Sequence, residues 1–584
     1  MEWERAARRR LSRRRLLGAA GAVAGAAGLA SFGCGGNSGS SSLPPPGGSA
    51  DSGDDVGSTA VPASTRPPLS ERQGETLRYT GYVSGVGIYA PHTPPAAPFY
   101  GLEALVLSRL LAYQDQASGS IVPDLAVAMP ERPDSTTLIF RLNPAAKWHD
   151  RAPLNGRQVT SEDVKYSIER QMNGDPTFVR KGRWLIIDSI ETPSPTEVRV
   201  KLKSQFANAE GLFANVTSFI VAPEAVDAGE FTSSSQPGSG PFRWVEWNEG
   251  NFASVARNPN WHGGNQRPYL NGIELHQPKD ASDIEAGLRT KKLDAVFVGR
   301  PTADALKKNI PALVESQAGH SLYFGMRFFI NQVPYNDLRF RAALSIALDR
   351  RDMVEKFFAG SGDVNPWVSW PIKDWTLPQS ELTNFPGYRL GDGGRQADIA
   401  DAKSLLAAAA GETAIPEELP LFVEAAAEQN LGMGTLMQQQ LQANLGLKVS
   451  VHPFPIGDLI RLMFEGNAPW VAGPDTGWVD LDEWVYPYFH STGSNNSFPI
   501  RDPDLDALLD AQRAELDFQK RQGIGYEIQR RLLNLHAGVN FCSERVIALA
   551  WPYVKGFPMD TADGYQHRFA DCWIDRSDPS FRGR

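Results

Sequence analysis

The chain has 584 residues, of which 41% are hydrophobic and 21% are charged, and its formal net charge at pH 7 is −9. This length is too great for one hydrophobic core, and about three domains are expected. Because residues 1–33 carry seven Arg and two Glu, their removal would change the net charge from −9 to −14, which argues against general nucleic-acid binding.

The first 33 residues have the pattern of an export signal. Seven arginines precede Leu16, and residues 12–17 resemble a twin-arginine signal. The Ala- and Gly-rich run that follows barely reaches the ~20 residues that span a bilayer, so a permanent membrane anchor is the weaker interpretation. The run ends at Gly33 and Cys34, which resemble the end of a bacterial lipoprotein box, although Ser31 stands where that pattern has Leu. We therefore expect residues 1–33 to be removed and Cys34 to carry a lipid.

Residues 34–73 are rich in Gly, Ser and Pro. Such a segment cannot bury enough apolar surface to offset its conformational entropy, so we expect a flexible tether. No later segment of the sequence is long and apolar enough to cross a membrane. The expected arrangement is an exported body, periplasmic or at the cell surface, that a lipid holds at the outer face of the membrane.

Strands and helices alternate along the rest of the chain. Five segments have the alternation or the β-branched and aromatic content of strands, at residues 76–83, 138–143, 197–203, 242–247 and 272–278. Residues 337–358 carry apolar side chains at helical spacing and predict one amphipathic helix, capped by Asn336 or Asp337. Residues 401–410 and 504–516 have the same pattern. The predicted class is α/β with several domains.

The stretch KWHDRAPLNGRQVTSEDVKYSIER, residues 147–170, places His149 beside Asp150 and ahead of several acids. An acid/base pair is one hypothesis. The favoured interpretation is a strand that ends at His149, a turn with Pro and Gly, and a helix that Thr160 caps with Asp163 in the capping-box position. A lone His near a strand end more often satisfies local hydrogen bonds than it serves catalysis.

The sequence lacks the common catalytic and cofactor motifs. Its nine histidines are scattered, and none has the HxH or HExxH spacing of a metal site. A GxSxG elbow, a Walker loop and a dinucleotide fingerprint are also missing. We therefore expect a protein that is not an enzyme, with no catalytic residues, no metal site and no cofactor.

Several motifs follow one another in a specific order. Residues 121–170 combine PDLA, a strand, a K-aromatic-HD turn and the helix start TSEDVKYS, and residues 238–276 contain GSGPF, NPNWHGG and YLNGIELH. FINQVPYNDLRFRAALSIALDRRDMV, ADIADAKSLLAAA and FADCWID complete the series. In this combination the chain from about residue 75 to its last residue resembles the family 5 extracellular solute-binding proteins, the receptors of peptide-type ABC importers.

The resemblance implies a two-lobed type 2 periplasmic-binding-protein fold with an extra third domain, of the kind called cluster C. Lobe I would comprise residues 74–115, 235–325 and 546–584, the middle domain residues 116–234, and lobe III residues 326–545. It also implies a monomeric receptor that encloses a peptide or other small solute between the lobes by hinge closure. The receptor would then deliver the solute to ABC permease subunits, which separate ATPase subunits drive.

The resemblance points to GWVDLDEW, residues 477–484, for the ligand site. In peptide binders of this family an Asp in the corresponding segment meets the α-ammonium of the peptide, and Asp480 is its expected replacement, with Asp482 as the substitute. Such a contact contributes roughly 1.5 to 3 kcal/mol. Further aromatic residues are expected near the cleft: Trp478, Trp484 and Trp370, with Tyr82 at the lip of lobe I, and Trp367 and Tyr486 as additional candidates. Each could instead pack structurally, and Asp480 could be a solvated loop acid.

Some alternatives stay open at this level. Cys542 and Cys572 could form a disulfide in an oxidising compartment or remain two buried thiols, because spacing does not establish their distance. The solute could be a nickel chelate or a sugar in place of a peptide. Outside transport, the alternatives are a ligand sensor and, least favoured, an exported hydrolase.

Overall fold

A computed structural model describes residues 68–584. It leaves out the segments 82–90, 93–96, 175–180, 426–427 and 560–565 and the single positions 249, 265, 476, 495 and 497. The predicted export signal, the lipidation site Cys34, most of the tether and Tyr82 lie outside the described residues. The described chain is mixed α/β, as the sequence predicted. None of its helices combines the length and the apolar character that crossing a membrane requires.

The strands are β1 Thr76–Thr80, β2 Leu111–Asp115, β3 Ser120–Pro123, β4 Glu131–Asp134, β5 Thr137–Arg141, β6 Ile187–Ser194, β7 Glu197–Leu202, β8 Phe242–Asn248, β9 Phe252–Arg257, β10 Gly272–His276, β11 Ala295–Val298, β12 Val314–Gly319, β13 Tyr323–Phe328, β14 Gly362–Val364, β15 Glu418–Glu424, β16 Lys448–Phe454, β17 Trp470–Asp475, β18 Gly538–Ala550, β19 Val554–Lys555 and β20 Trp573–Ile574. All five predicted strand segments coincide with strands, namely β1, β5, β7, β8 and β10.

The α-helices are α1 Leu69–Arg72, α2 Ala97–Val106, α3 Ser161–Asn173, α4 Lys181–Trp184, α5 Ala209–Ala214, α6 Pro223–Asp227, α7 Ala281–Arg289, α8 Arg300–Asn309, α9 Leu338–Ala347, α10 Arg350–Phe358, α11 Gln379–Leu382, α12 Gly391–Ala410, α13 Glu428–Leu445, α14 Ile456–Phe464, α15 Leu481–Phe489, α16 Pro503–Ala514 and α17 Phe518–Leu535. Two short 3₁₀ helices, Gln566–Asp571 and Pro579–Phe581, lie near the end of the chain.

Strand β18 joins the two halves of a twelve-stranded sheet. The order along the sheet is β16-β15-β17-β13-β18-β11-β1-β10-β9-β8, and β12 and β14 also pair with β18. The first part of β18, residues 538–542, pairs with β13, whereas residues 545–550 pair with β12. The chain crosses between β12 and β13 at residues 320–322. We call strands β1 and β8–β12 the first half of the sheet and strands β13–β17 the second half. The crossing at residues 320–322 is called the junction.

A separate four-stranded sheet, β4-β5-β7-β6, carries α3, and the stretch 147–170 lies between β5 and β6 along the chain. The Asp163 carboxylate accepts a hydrogen bond from the Thr160 backbone N–H at 2.8 Å and forms an ion pair with Arg157. His149 is buried beside the Gly240 carbonyl oxygen, 3.2 Å away, and burial lowers its pKa to about 4, while Asp150 is exposed. The turn and the capped helix agree with the favoured interpretation, but the predicted strand ending at His149 is wrong, because β5 ends at Arg141 and Lys147 forms only an isolated bridge with Gln158.

The prediction of one continuous helix over residues 337–358 was wrong, because the segment forms two helices. The structure has α9, capped by Asp337, and then a new helix α10, capped by Asp349. The Asp349 side chain accepts from the backbone N–H groups of Arg351 and Asp352, which starts a second helix. The break lies at Leu348 and Asp349, which have extended backbone, and buried apolar residues occur on both sides of it, so hydrophobicity alone does not reveal it.

The buried apolar residues form more than one core. One hydrophobic cluster extends without a break from the four-stranded sheet into the second half, over residues 110–225 and 323–542. The first half has its own clusters, which contain residues from 77 to 313 and from 547 to 574. The domain boundaries given above stay a prediction.

Candidate functional site

Two aromatic side chains, Tyr323 and Trp367, lie against Arg327 on β13, the strand that follows the junction. The Arg327 Cζ atom lies 4.8 Å from the ring centroid of Trp367, and the ring of Tyr323 stacks on that of Trp484 with centroids 5.4 Å apart. The indole N–H of Trp484 donates to the carbonyl oxygen of Trp478 at 2.8 Å. With Asn540 these residues form what we call the aromatic–arginine cluster: Tyr323, Arg327, Trp367, Trp478, Trp484 and Asn540.

Hydrogen bonds to neutral groups hold the Arg327 guanidinium in place. Its Nη2 donates to the Tyr323 hydroxyl at 2.6 Å and to Asn540 Oδ1 at 3.2 Å, and its Nη1 donates to the Met326 carbonyl oxygen at 2.9 Å. Asn540 in turn donates from Nδ2 to the Trp367 carbonyl oxygen at 2.6 Å. Among the described residues no carboxylate lies within ion-pair distance of Arg327. The cluster therefore contains a partly exposed positive charge.

Gly477 fixes the loop that carries Trp478. A Cβ atom on Gly477 would lie 2.1 Å from the carbonyl oxygen of Ser321, in the crossing between β12 and β13. Only glycine allows two backbones to come so close. The loop is therefore pressed against the junction, and Trp478 is buried beside it.

Asp480 is both the N-cap of α15 and an ion-pair partner. Its Oδ1 accepts from the Asp482 backbone N–H at 2.8 Å and from Arg521 Nη2 at 2.6 Å, and its Oδ2 accepts from Arg521 Nη1 at 2.8 Å. Side-chain exposure is only 11% for Asp480 and 7% for Arg521. The sequence did not anticipate these internal partners, and the contact between Asp480 and a ligand ammonium stays a prediction.

The next two acids also have internal partners. Asp482, the expected substitute for Asp480, accepts from Gln512 Nε2 at 2.6 Å and from Arg513 Nε at 2.9 Å. Glu483 accepts from Asn215 Nδ2 at 3.0 Å and forms an ion pair with Arg183. Buried carboxylates need such partners to offset desolvation. Glu483 thereby ties α15 to the segment that follows the four-stranded sheet.

Trp370 lies in a loop that polar side chains attach to the junction. The loop is held by Asn365, whose Oδ1 accepts from the Trp370 backbone N–H at 3.1 Å. Ser369 donates to the Ser321 carbonyl oxygen at 3.0 Å and lies 3.2 Å from the Ser543 hydroxyl. The Trp370 side chain is partly exposed.

The structure thus places Trp478 and Trp484 together in the cluster, with Asp480 close in sequence and Trp370 in an adjacent loop. Sequence reasoning named Trp367 only as an additional candidate and missed Tyr323, Arg327 and Asn540. One signal for Arg327 was visible, a single charge inside the otherwise apolar run YFGMRFFI.

Cys542 and Cys572 are free thiols, so the disulfide that the sequence allowed is not formed. Each belongs to a different hydrophobic cluster, and burial raises the pKa of both thiols. Nor do the described residues contain a group of three or more His, Cys, Asp or Glu side chains that could hold a metal ion.

A titratable carboxyl group lies close to the junction. Glu544, on β18, pairs in register with Gly362 of β14. Burial raises the Glu544 pKa to about 7, against the opposing effect of the nearby His320 charge. Both residues lie where the two halves meet.

The amino-acid sequence is similar to those of known binding proteins. Residues 120–496 match the family described as "Bacterial extracellular solute-binding proteins, family 5 Middle". A putative ABC transporter peptide-binding protein of Brucella ovis is 26% identical over 48% of this chain and 53% of that protein. The chain therefore spans about half the length of the curated relatives that it matches first.

Solved structures share the fold over most of both chains. The periplasmic binding protein DppA of Helicobacter pylori, in complex with the peptide STSA, superposes with a TM-score of 0.71 at 18% identity, covering 87% of this chain and 99% of that one. AgaA of A. tumefacien R10, in complex with agropinic acid, superposes with a TM-score of 0.68 at 21% identity, covering 86% and 98%. This likeness establishes a type 2 periplasmic-binding-protein fold.

Proposed function

The chain belongs to family 5 of the bacterial extracellular solute-binding proteins, and on this basis we propose that it is the extracytoplasmic receptor of an ABC importer. It captures a peptide-like solute between its lobes and delivers it to membrane permease subunits, whose ATPase subunits are separate chains. The family match over residues 120–496 carries this proposal. The name of the Brucella ovis relative and the peptide bound to DppA support a peptide as the solute.

The shared strand β18 supports hinge closure as the mechanism. The two halves of the sheet meet along this strand and at the crossing between β12 and β13. A rotation about so narrow a connection changes the distance between the halves with little loss of packing. A solute that contacts both halves favours the closed form by its differential affinity for that form.

The proposed ligand site comprises Trp478, Trp484, Trp370 and Asp480, with Tyr82 contributing from lobe I. Asp480 can take part only as a shared carboxylate, since Arg521 holds both of its oxygens. A carboxylate has about four acceptor positions, and described residues use three of them on Asp480. A ligand ammonium would bind at the remaining position, on Oδ2.

A non-peptide solute is the second candidate. The observation that favours it is the structural likeness to AgaA, whose solved complex contains agropinic acid. A nickel chelate or a sugar belongs to the same group of alternatives. A ligand sensor and an exported hydrolase are the alternatives outside transport.

The remaining features of the proposal concern the ends and the assembly. We propose that the protein is exported through a twin-arginine signal in residues 1–33, is anchored by a lipid on Cys34, and acts as a monomer without catalytic activity. Mass spectrometry of the mature protein tests the lipid, since an unmodified Cys34 or an intact signal contradicts it.

Native mass spectrometry of the protein as purified tests the receptor function. We expect a co-purified solute, or retention of intact peptides from a synthetic library. Cleavage products would indicate a hydrolase instead. Failure to retain any peptide, together with retention of another small molecule, would favour the non-peptide candidate.

A further inference from the structure

Three arginines near the beginning of α15 pair with carboxylates, whereas Arg327 does not. Arg183, Arg513 and Arg521 each face a carboxylate of α15 or its cap. Arg327 makes hydrogen bonds to neutral oxygens instead. The cluster therefore carries a local positive charge that no described carboxylate neutralises.

Three N–H donors of Arg327 and Trp367 have no acceptor among the described residues. A guanidinium has five N–H groups, and on Arg327 those on Nε and one on Nη1 have no acceptor among the described residues. The indole N–H of Trp367, whose residue is 3% exposed, also lacks a hydrogen-bond partner within the described part of the chain. Buried N–H groups are nearly always bonded, so each such exception needs an explanation.

The aromatic neighbours prepare Arg327 for anion recognition. Trp367 and Tyr323 lie against the guanidinium, with centroids 4.8 and 5.5 Å from Cζ. Stacking and the bond to Tyr323 hold its plane in one orientation, so little side-chain entropy is lost when a ligand binds. A fixed guanidinium matches the planar carboxylate group, and such charge-assisted bonds are about twice as strong as neutral ones.

We propose that Arg327 and Trp367 form a subsite for a carboxylate of the solute, and that this subsite makes a free acid a specificity requirement of the receptor. The inference rests on the proposed function, because it takes the cluster to be the solute site. The carboxylate could be the C-terminus of a peptide or belong to a small organic acid. Arg327 contributes the charge, and Trp367 contributes a neutral N–H donor.

Two binding measurements test the subsite in the full mature chain. In the first, native mass spectrometry follows retention of alanine peptides supplied as an equimolar mixture of free acids and C-terminal amides. In the second, thermal unfolding is followed with succinate or the neutral succinamide. Wild-type protein should prefer the acid in at least one measurement, by about tenfold or more in retention, the factor that corresponds to ~1.4 kcal/mol.

Three variants identify the group responsible. Arg327→Gln should lose the preference, and Arg327→Lys should keep part of it, because the charge remains. The matched control is Arg461→Gln, which alters an exposed arginine that pairs with Asp458 and Glu465 on α14 and should leave the preference unchanged. A near-wild-type melting temperature of Arg327→Lys would show that the fold survives a change at this position.

The outcomes separate the subsite from the receptor function. If peptides bind but neither measurement shows a preference for the acid that depends on Arg327, the subsite is overturned and the receptor function stands. If no peptide binds but succinate stabilises the wild type and not Arg327→Gln, the subsite stands and the peptide assignment fails. If neither measurement shows dependence on Arg327 and no peptide binds, both ideas are overturned.

Discussion

Arg521 binds both carboxylate oxygens of Asp480, at 2.6 and 2.8 Å, although the two residues are 41 positions apart. The pair lies at the first turn of α15, and the ring of Trp375 covers the guanidinium at 4.7 Å. This buried ion pair therefore joins the start of α15, and the loop that precedes it, to α17. The same carboxylate is the one that the family resemblance assigns to ligand binding.

Asp480→Ala should lower both stability and affinity. Loss of a buried partner leaves Arg521 uncompensated, so the free energy of unfolding should fall by about 3 kcal/mol, and peptide binding should weaken by about tenfold. Urea unfolding and titration calorimetry measure the two effects, and Asp458→Ala, which alters an exposed carboxylate on α14, serves as the control. Unchanged peptide affinity in a folded Asp480→Asn protein would remove Asp480 from the ligand site.

Arg183 and Glu483 should show strong energetic coupling. Their side chains are 15% and 6% exposed, and Asn215 holds the same carboxylate. Arg183→Ala should cost about 3 kcal/mol of unfolding free energy, since it leaves a buried charge. In a double-mutant cycle with Glu483→Gln, the coupling should exceed about 1 kcal/mol. The exposed pair Lys165 and Glu169 should show about 0.5 kcal/mol or less, and equal coupling in both pairs would contradict the prediction.

Gly477→Ala should destabilise the junction. The new methyl group would collide with the Ser321 carbonyl oxygen, and overpacking of this kind costs about 1 to 3 kcal/mol. Gly473→Ala is the matched control, because a Cβ there meets no atom within 4 Å. Thermal unfolding of the two variants makes the comparison. Equal melting temperatures would show that the loop at Gly477 yields without cost.

The two buried thiols should react only after unfolding. Burial raises the pKa of Cys542 and Cys572, which suppresses the reactive thiolate. In a Cys34→Ser background, a thiol reagent should label neither residue in the native protein and both in denaturant, without prior reduction. Mass spectrometry counts the labels. Absence of labelling in denaturant until a reductant is added would show that the disulfide forms after all.

Glu544 should make stability depend on pH. Its folded pKa of about 7 lies above its ordinary value of 4.5, so the folded protein holds this proton more tightly than the unfolded chain does. The contribution of Glu544 to the free energy of unfolding is complete below about pH 4.5 and is lost as the pH rises to about 7. Glu544→Gln should remove this loss, on the order of 3 kcal/mol across the window. Urea unfolding from pH 4.5 to 8 measures it, and identical pH profiles for wild type and variant would contradict the assignment.

Local patterns allowed a large part of the fold to be predicted. Alternation located β1, β5, β7, β8 and β10, and the cap at Thr160 with Asp163 located α3. These signals depend on neighbours within a few residues, which the sequence displays directly. The break between α9 and α10 was missed, because Asp349 caps a second helix directly after the first and buried apolar residues occur on both sides.

The sequence by itself determined the family, the α/β class and the location of Trp478 and Trp484 in one segment, because these follow from the order and spacing of residues along the chain. Only the tertiary structure decided which charges neutralise one another. Asp480 meets Arg521, and Glu483 meets Arg183 from 300 positions away, while Arg327 meets no described carboxylate. Ion pairing depends on distance in space and on burial, and packing of the completed fold sets both.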